Sequence, residues 1–198
     1  FIGGTSMSKV KVGAKYPCFA PIATEPENAL PTYSTPITVI GELISANLTI
    51  TLASGELYSN DALNLKVSDF VSGQVAMTTD GLDDEPAEVI YGATAEEGLV
   101  KYNIGDEAPY GGLAYYCQMR SKAGGIYYKG YYFPKVQAAM GNDNSSTKGS
   151  SVTFSTNNTN FTVMKAENGD WMHTEVLDSE SAAKAWVASV LTTTASGG

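Results

Sequence analysis

The stretch YYKGYYFPKV, residues 127–136, decides the fold class, because its residue types are those of a β-strand and it has aromatic side chains on both faces. Side chains alternate along a strand, so the aromatic residues fall into two sets: Tyr127, Tyr131 and Phe133 on one face, Tyr128 and Tyr132 on the other. A strand with one face in water is usually apolar on its other face only. Both faces of this strand therefore need a cover.

The sequence around this stretch predicts antiparallel hairpins. Three are expected, over residues 113–136, 150–165 and 160–176, with turns at Lys122–Gly125, Thr156–Thr159 and Asn168-Gly169. Alternating apolar residues predict further strands over 8–13, 37–52, 63–67 and 71–77, with a break at Ser68-Asp69. About eight strands follow, most of them connected by hairpins.

Two helices are predicted beside these strands. Asp83 can cap a short inserted helix that has Pro86 in its first turn and stops at Gly92. Ser179–Leu191 reads as an amphipathic helix whose apolar residues are Ala182, Ala185, Trp186, Val190 and Leu191. The predicted fold is mainly β, a β-sandwich or partly closed barrel with a short inserted helix and a C-terminal helix.

Two segments are predicted to be long surface loops. Residues 20–36 contain four prolines and have little periodicity. Residues 53–62, ASGELYSNDA, are polar and interrupt the alternation. Loops of such length in a compact domain are usually functional or disordered, so both are candidate contact segments.

The charge distribution argues against a protein that grips nucleic acid. The formal net charge is −9, and the basic residues form no continuous stripe in the sequence. Nine of the twenty-one acidic residues lie between Asp80 and Glu107, where Lys101 is the only base. The candidate acidic surface consists of Asp80, Asp83, Asp84, Glu85 and Glu88. Two interpretations stay open: a solvated surface that aids solubility, or a surface that repels polyanions.

No set of catalytic or metal-binding residues is recognisable. His173 is the only histidine and is expected on a surface strand, and Cys18 and Cys117 are expected to be separate buried thiols in a reducing compartment. The loop MGNDNSSTKGSS matches neither a phosphate-binding loop nor an EF-hand, although a calcium site at residues 142–144 is an alternative to a simple hairpin tip. We expect no enzymatic activity and no cofactor.

The order of several short motifs resembles a known family. These motifs are MSKVKVG, PITVIGELISANLTI, LYSNDA, GLDDEPAEVIYGAT, GGLAYYCQMRSKAGGIYYKGYYFPKV, TKGSSVTFSTNNTNFTV, NGDW and AAKAWVASVL. Together they resemble the major tail proteins of long-tailed, non-contractile bacteriophages, and within them the phi13-type group of staphylococcal phages. The resemblance runs from about Met7 to Leu191. It implies a domain over 7–193, with 1–6 as a cloning remnant and 194–198 as a flexible tail.

The resemblance implies a structural virion protein without catalytic residues. Such proteins form hexameric rings that stack into a tail tube around a tape measure protein, in contact with other tail proteins. Double-stranded DNA later passes through the tube without specific binding, and no membrane insertion is implied. The protein would be made in the host cytoplasm and reside in the virion tail.

The resemblance also suggests where contacts between copies lie. Contacts between subunits or rings are expected at Glu56, Leu57, Tyr58, Asn60, Asp61, Tyr128, Tyr132 and Pro134, and the acidic residues named above are candidates for the lumen. The second face of 127–136 would then be covered by another subunit or face the lumen; the alternative is an internal strand beneath a helix. Pro134 predicts a sheet edge or a bulge.

Three rival functions remain. The first is a tube-end adaptor or secreted ring protein of the same fold, which would form single rings. The second is a β-sandwich carbohydrate-binding module with Trp171, Trp186 and tyrosines as sugar platforms. The third, a hydrolase, is disfavoured because no catalytic set is visible.

Overall fold

The computed structural model of the chain describes residues 9–59, 62–81, 83–96, 99–141 and 156–192. These residues form eleven strands and two helices. The strands are β1 (Lys9–Thr24), β2 (Thr32–Tyr33), β3 (Thr38–Val39), β4 (Leu43–Ser59), β5 (Ala62–Thr79), β6 (Thr94–Glu96), β7 (Leu99–Lys101), β8 (Tyr110–Ser121), β9 (Ile126–Met140), β10 (Asn157–Met164) and β11 (His173–Leu177). The helices are α1 (Asp84–Tyr91) and α2 (Glu180–Val190).

One large antiparallel sheet dominates the molecule. Its strand order is β2-β1-β8-β9-β10-β5-β4, with β3 paired to β1 and β11 paired to β9; β6 and β7 form a separate two-stranded sheet. β1 and β4 stand near opposite ends of this order, yet they contact each other without pairing, so the sheet bends back on itself. The prediction of a mainly β protein with one inserted and one C-terminal helix is confirmed.

The central strand β9 is covered on both faces by its own chain. Tyr131 and Phe133 belong to one buried cluster, which also contains residues of α1, β5, β8 and β10. Tyr132 belongs to a second cluster, in which Val187 and Leu191 come from α2 and its C-terminal cap. The cover of the second face is therefore a helix, which was the alternative to a neighbouring subunit.

The contact between α2 and β9 is close because β9 has a glycine there. A Cβ atom at Gly130 would lie 2.4 Å from the Trp186 ring, so a larger residue would push the helix away. The buried face of α2 agrees with the prediction at Leu191, and Trp186 and Val190 pack against the same cluster, but the prediction missed Ala183 and Val187. The buried face consists of Ala183, Val187 and Leu191, which are spaced by four residues and share a face, whereas Ala185 is exposed.

Local signals placed the ends of both helices correctly. Asp83 has the extended backbone of an N-cap at the start of α1, although its side chain makes no capping hydrogen bond. At the other end, Gly92 stops the helix in the left-handed conformation with φ 71°. At α2 the Ala182 amide donates to Ser179 Oγ over 3.1 Å. Each helix thus begins and ends where its capping residues predict.

The predicted loop over 20–36 is wrong in two places. β1 runs on to Thr24, and Tyr33 is a buried residue of β2. The Tyr33 hydroxyl donates to the carbonyl oxygen of Pro134 over 2.7 Å and is also hydrogen-bonded to the Tyr132 hydroxyl. Pro21 fits into the strand because the fixed φ of proline is compatible with extended backbone.

Three further predictions about strands are wrong. There is no break at Ser68-Asp69, because β5 continues through both residues. The pairing of β5 with β4 shifts its register nearby, opposite Thr51 and Leu52. Residues 157–159 are not a turn but the start of β10, which pairs with β5 and β9 at once. Asn168-Gly169 does form a turn, yet β10 and β11 do not pair, because both lie along the same edge of β9. The predicted strand over 150–155 lies outside the described residues.

The hairpin of β8 and β9 confirms the prediction from its glycine-containing turn. Its register shifts between Gly111, which faces Val136, and Leu113, which faces Phe133. Two residues of β9, one of them Pro134, therefore stand opposite Gly112 alone. This is the bulge that the proline predicted.

Candidate assembly surfaces

The hairpin of β4 and β5 extends beyond the sheet as a two-stranded arm. β5 pairs with β10 only from Gly73 to Thr79, and no described strand pairs with β4 except β5. Residues 52–59 and 62–70 therefore pair only with each other, and we call them the arm. Eight residues of extended strand reach about 27 Å. The predicted loop over 53–62 is thus wrong as to conformation, since strand continues to Ser59 and resumes at Ala62.

The face of β4 that covers the core continues onto the arm without a cover. Leu48 packs against the first buried cluster. Ile50 and Leu52 follow on the same face of the strand by alternation, yet they are 41% and 54% exposed. On β5, Val71 next to Phe70 is 57% exposed, while Val67, opposite Gly55, is exposed on the other face of the arm. An apolar stripe therefore leaves the core and enters solvent.

An isolated two-stranded ribbon is marginally stable in water, so the base of the arm needs support. The Phe70 ring stacks on Trp171, with ring centroids 4.6 Å apart and planes inclined by 7°. Trp171 lies between β10 and β11 in the chain, so this contact fixes where the arm leaves the sheet. Farther out, Lys66 Nζ lies 3.1 Å from Glu56 Oε1 across the two strands.

The predicted contact residues divide between the arm and the interior. Glu56, Leu57 and Tyr58 lie in the last part of β4 on the arm, whereas Asn60 and Asp61 lie outside the described residues. In β9, by contrast, Tyr132 is 1% exposed and Pro134 is buried. Neither of these two offers a surface to a neighbouring subunit, because α2 and Tyr33 already cover them.

Tyr128 is half-buried and packs edge-on against Tyr116, with ring centroids 5.9 Å apart. It belongs to the periphery of the second cluster, beside Trp186. Both tryptophans are likewise in contact with their own chain, Trp171 with Phe70 and Trp186 with Gly130. Both are partly buried, and each has a ring contact within the subunit.

The predicted acidic residues lie around the start of α1. Asp80, Asp83, Glu85 and Glu88 are exposed, and Asp84 is the first residue of the helix. The backbone amide of Glu42 donates to Asp80 Oδ1 over 2.9 Å. Acidic groups in the first turn are favoured by the helix dipole, so part of this cluster stabilises α1. The remaining negative charge faces solvent.

The thiols and the histidine have structural surroundings. Cys18 and Cys117 are free and buried, as predicted. Burial raises the pKa of Cys18 to about 12, so its thiol is protonated near neutral pH. His173 begins β11, with its Nε2 2.9 Å from Asp170 Oδ2, and this hydrogen bond lowers the pKa of Asp170.

The described part of the chain contains no cluster of three or more histidine, cysteine, aspartate or glutamate residues placed to hold a metal ion. The alternative calcium site at residues 142–144 lies outside the described ranges. Within the same ranges, no helix is both long enough and apolar enough to cross a membrane. The most distinctive exposed feature that remains is the arm.

The comparisons with known proteins add no family to this description. No family model matches the chain, and no curated protein matches it. The function is therefore argued from the arm, the sheet and the charges.

Proposed function

We propose that the protein is a structural subunit that assembles with copies of itself into stacked hexameric rings and so forms a phage tail tube, the conduit for genome ejection. The arm is the single observation that carries this proposal. It has exposed apolar side chains and strand edges that pair with no other described strand, and a copy of the same chain can cover both. Tape measure and other tail proteins would be further partners during assembly.

Two physical effects favour association through the arm. Covering exposed apolar side chains such as Leu52, Val67 and Val71 contributes about 25 cal/mol per Å² of apolar surface. The outer edge of the arm also presents unpaired backbone groups, which are a template for pairing with another strand. Natural edge strands usually have charges or proline as protection. Residues 43–55 of β4, which run from the sheet onto the base of the arm, have neither, although Glu56, Lys66 and Asp69 are charged residues of the arm. The unprotected edge fits a strand that is meant to be paired.

The charge of the subunit fits a channel for DNA. Each phosphate that a lysine or arginine neutralises adds affinity, so a conduit needs few basic groups along its bore. A net charge of −9 per subunit, repeated around a ring, supplies a repulsive wall where acidic groups face inward. We expect inward-facing acids to outnumber inward-facing bases. A structure of the assembled tube with a net basic bore would refute this part of the proposal.

A decisive experiment compares the full chain with a version that lacks the arm. Leu52 and Phe70 face each other in register, so residues 53–69 can be replaced by an Asn-Gly turn. Negative-stain microscopy at high protein concentration should show hollow tubes for the full chain and single particles for the shortened one. Circular dichroism should show that the shortened chain is folded.

Other outcomes separate the alternatives. Single rings without tubes would favour a tube-end adaptor or secreted ring protein. Tubes of normal appearance from the shortened chain would contradict the role of the arm. Binding of the monomer to a glycan array would favour a carbohydrate-binding module, against the covered tryptophans.

A further inference from the structure

Three neighbouring strands of the large sheet, β1, β8 and β9, carry basic residues and no acidic ones. Residues 9–24 and 108–141, which include all of β1, β8 and β9, contain no aspartate or glutamate. Four cations lie near the turn that joins β8 to β9: Lys11, Arg120, Lys122 and Lys129. The register places three of them at the same end of the strands, since Lys11 faces Met119, Val10 faces Arg120 and Lys129 faces Cys117. Lys11 and Lys129 lie on one face of the sheet and Arg120 on the other, because side chains alternate along a strand. We call these four cations the basic end.

Within the described part of the chain, no acidic side chain forms an ion pair with the basic end. Lys11 and Lys129 instead lie over the Tyr131 ring, with their Nζ atoms 4.7 and 5.3 Å from its centroid. On the opposite face, in register with Arg120, Val10 and Ile126 are 61% and 45% exposed. This end of the strands thus combines positive charge with exposed apolar side chains.

An acidic region lies toward the other end of the same strands. Its four exposed residues are Asp83, Glu85, Glu88 and Glu107, and no ion pair of the described residues involves them. Glu107 adjoins the end of α1, because a Cβ atom at Gly92 would lie 2.5 Å from its carbonyl oxygen. We call this region the acidic end. From Tyr110, close to Glu107, to Arg120 at the basic end, β8 spans about 33 Å.

We propose that the basic end of one subunit binds the acidic end of a second copy, so that subunits join head to tail along their strands. This inference rests on the proposed function and specifies one of its contacts. Charge complementarity identifies the occupant, since the chain itself carries a surface of each sign, and neither surface takes part in an ion pair of the described residues. A head-to-tail contact joins different surfaces and continues from copy to copy.

The direction of this contact differs from that of strand pairing. Pairing along β4 extends a sheet sideways, whereas the two charged ends are separated along the strands. The arm and the charged ends therefore link copies in two different directions. We assign the charged contact to successive rings in the stack and the strand edge to neighbours within a ring.

The test reverses charge at the basic end in the full chain, with the variant R120E/K122E. Like charges then face each other across the contact and repel, so the concentration at which tubes form should rise on the order of tenfold or more. Rings should remain. The variant R120E/K122E/E85K/E88K exchanges both signs and should restore tubes. The control K165E/K184E changes net charge equally at two cations outside both ends and should form tubes as the unaltered chain does.

The outcomes separate this inference from the proposed function. Unaltered chains that form neither rings nor tubes contradict both. Tubes that form equally well from R120E/K122E, at about 0.05 M and about 0.5 M salt alike, contradict the charged contact alone. Failure of the exchanged variant to restore tubes, when its thermal unfolding shows a folded protein, also overturns it. Saturable binding of a fluorescent DNA duplex that R120E/K122E abolishes would assign the basic end to nucleic acid instead.

Discussion

Strand β9 and the arm are both extended segments with apolar side chains, yet their surroundings are opposite. Both faces of β9 are covered by the chain itself, and Phe133 is completely buried. On the arm, by contrast, residues 52–56 and 66–69 are all exposed, and Leu52 is 54% exposed. The difference shows which apolar residues stabilise the subunit and which are available to another copy.

The largest expected effect is at the centre of the covered strand. Phe133→Ala removes a completely buried ring beside Tyr115, and a cavity of this kind costs about 3–5 kcal/mol of unfolding free energy. Urea unfolding of dilute protein, followed by circular dichroism, measures it. A loss below about 1 kcal/mol would mean that β9 is not the core strand.

Two glycines give the next comparison. Gly130→Ala places a methyl group against the Trp186 ring and should destabilise the subunit by about 1–3 kcal/mol through overpacking. Gly55→Ala on the arm is the matched control, because a Cβ there meets nothing within 4 Å. Equal urea midpoints for the two variants would contradict the close packing of α2 on β9.

Alkaline pH should weaken the covered region. The pKa of Cys18 is raised from 9.0 to about 12 by burial, and burial also raises the pKa of Tyr33 and Tyr132 from 10.0. As the pH rises, the unfolded chain therefore loses these protons before the folded chain does. The stability that the buried groups contribute is complete below pH 9 and is lost as the pH rises toward 12. At pH 10.5, the deprotonation of Cys18 in the unfolded chain alone should have lowered the unfolding free energy by about 2 kcal/mol.

Urea unfolding of the unaltered chain and of Cys18→Ala at several pH values, in the presence of a reductant, measures this effect. The variant should lose the part of the slope that begins near pH 9. A stability that stays constant between pH 8 and 11 would show that these groups are not buried in solution.

The smallest effect on stability is expected on the arm. Leu52→Ser changes a side chain that is mostly in water, so the unfolding free energy should shift by less than about 0.5 kcal/mol. Sedimentation at high concentration should nevertheless show weaker association, because the apolar stripe is interrupted. Unchanged association would remove Leu52 from the proposed contact.

The sequence predicted the elements whose signals are local. The turn Lys122–Gly125, the glycine stop at Gly92 and the Ser179 cap each act within a few residues, and all three elements were confirmed. The aromatic pattern of 127–136 correctly required two covers. The pattern could not show whether the second cover is a helix of the same chain or a neighbouring subunit. That cover depends on Trp186 and Val187, which lie far away in the chain.

The errors concern contacts between distant segments. The polar sequence of 53–62 indicated a loop, but a ribbon with both faces toward water is also polar in sequence. The pairing of β10 and β11 along one edge of β9 leaves no local signal, so Asn168-Gly169 wrongly indicated a hairpin. Of the predicted contact residues, Glu56, Leu57 and Tyr58 lie on the arm, whereas Tyr132 and Pro134 are internal.

Sedimentation velocity over a range of concentrations, with the full chain and the arm-shortened chain side by side, tests the central claim most directly. The account predicts that the full chain shifts to large, tube-sized species as concentration rises while the shortened chain sediments as a monomer throughout. A full chain that remains monomeric at every concentration, or two chains that associate identically, would contradict it.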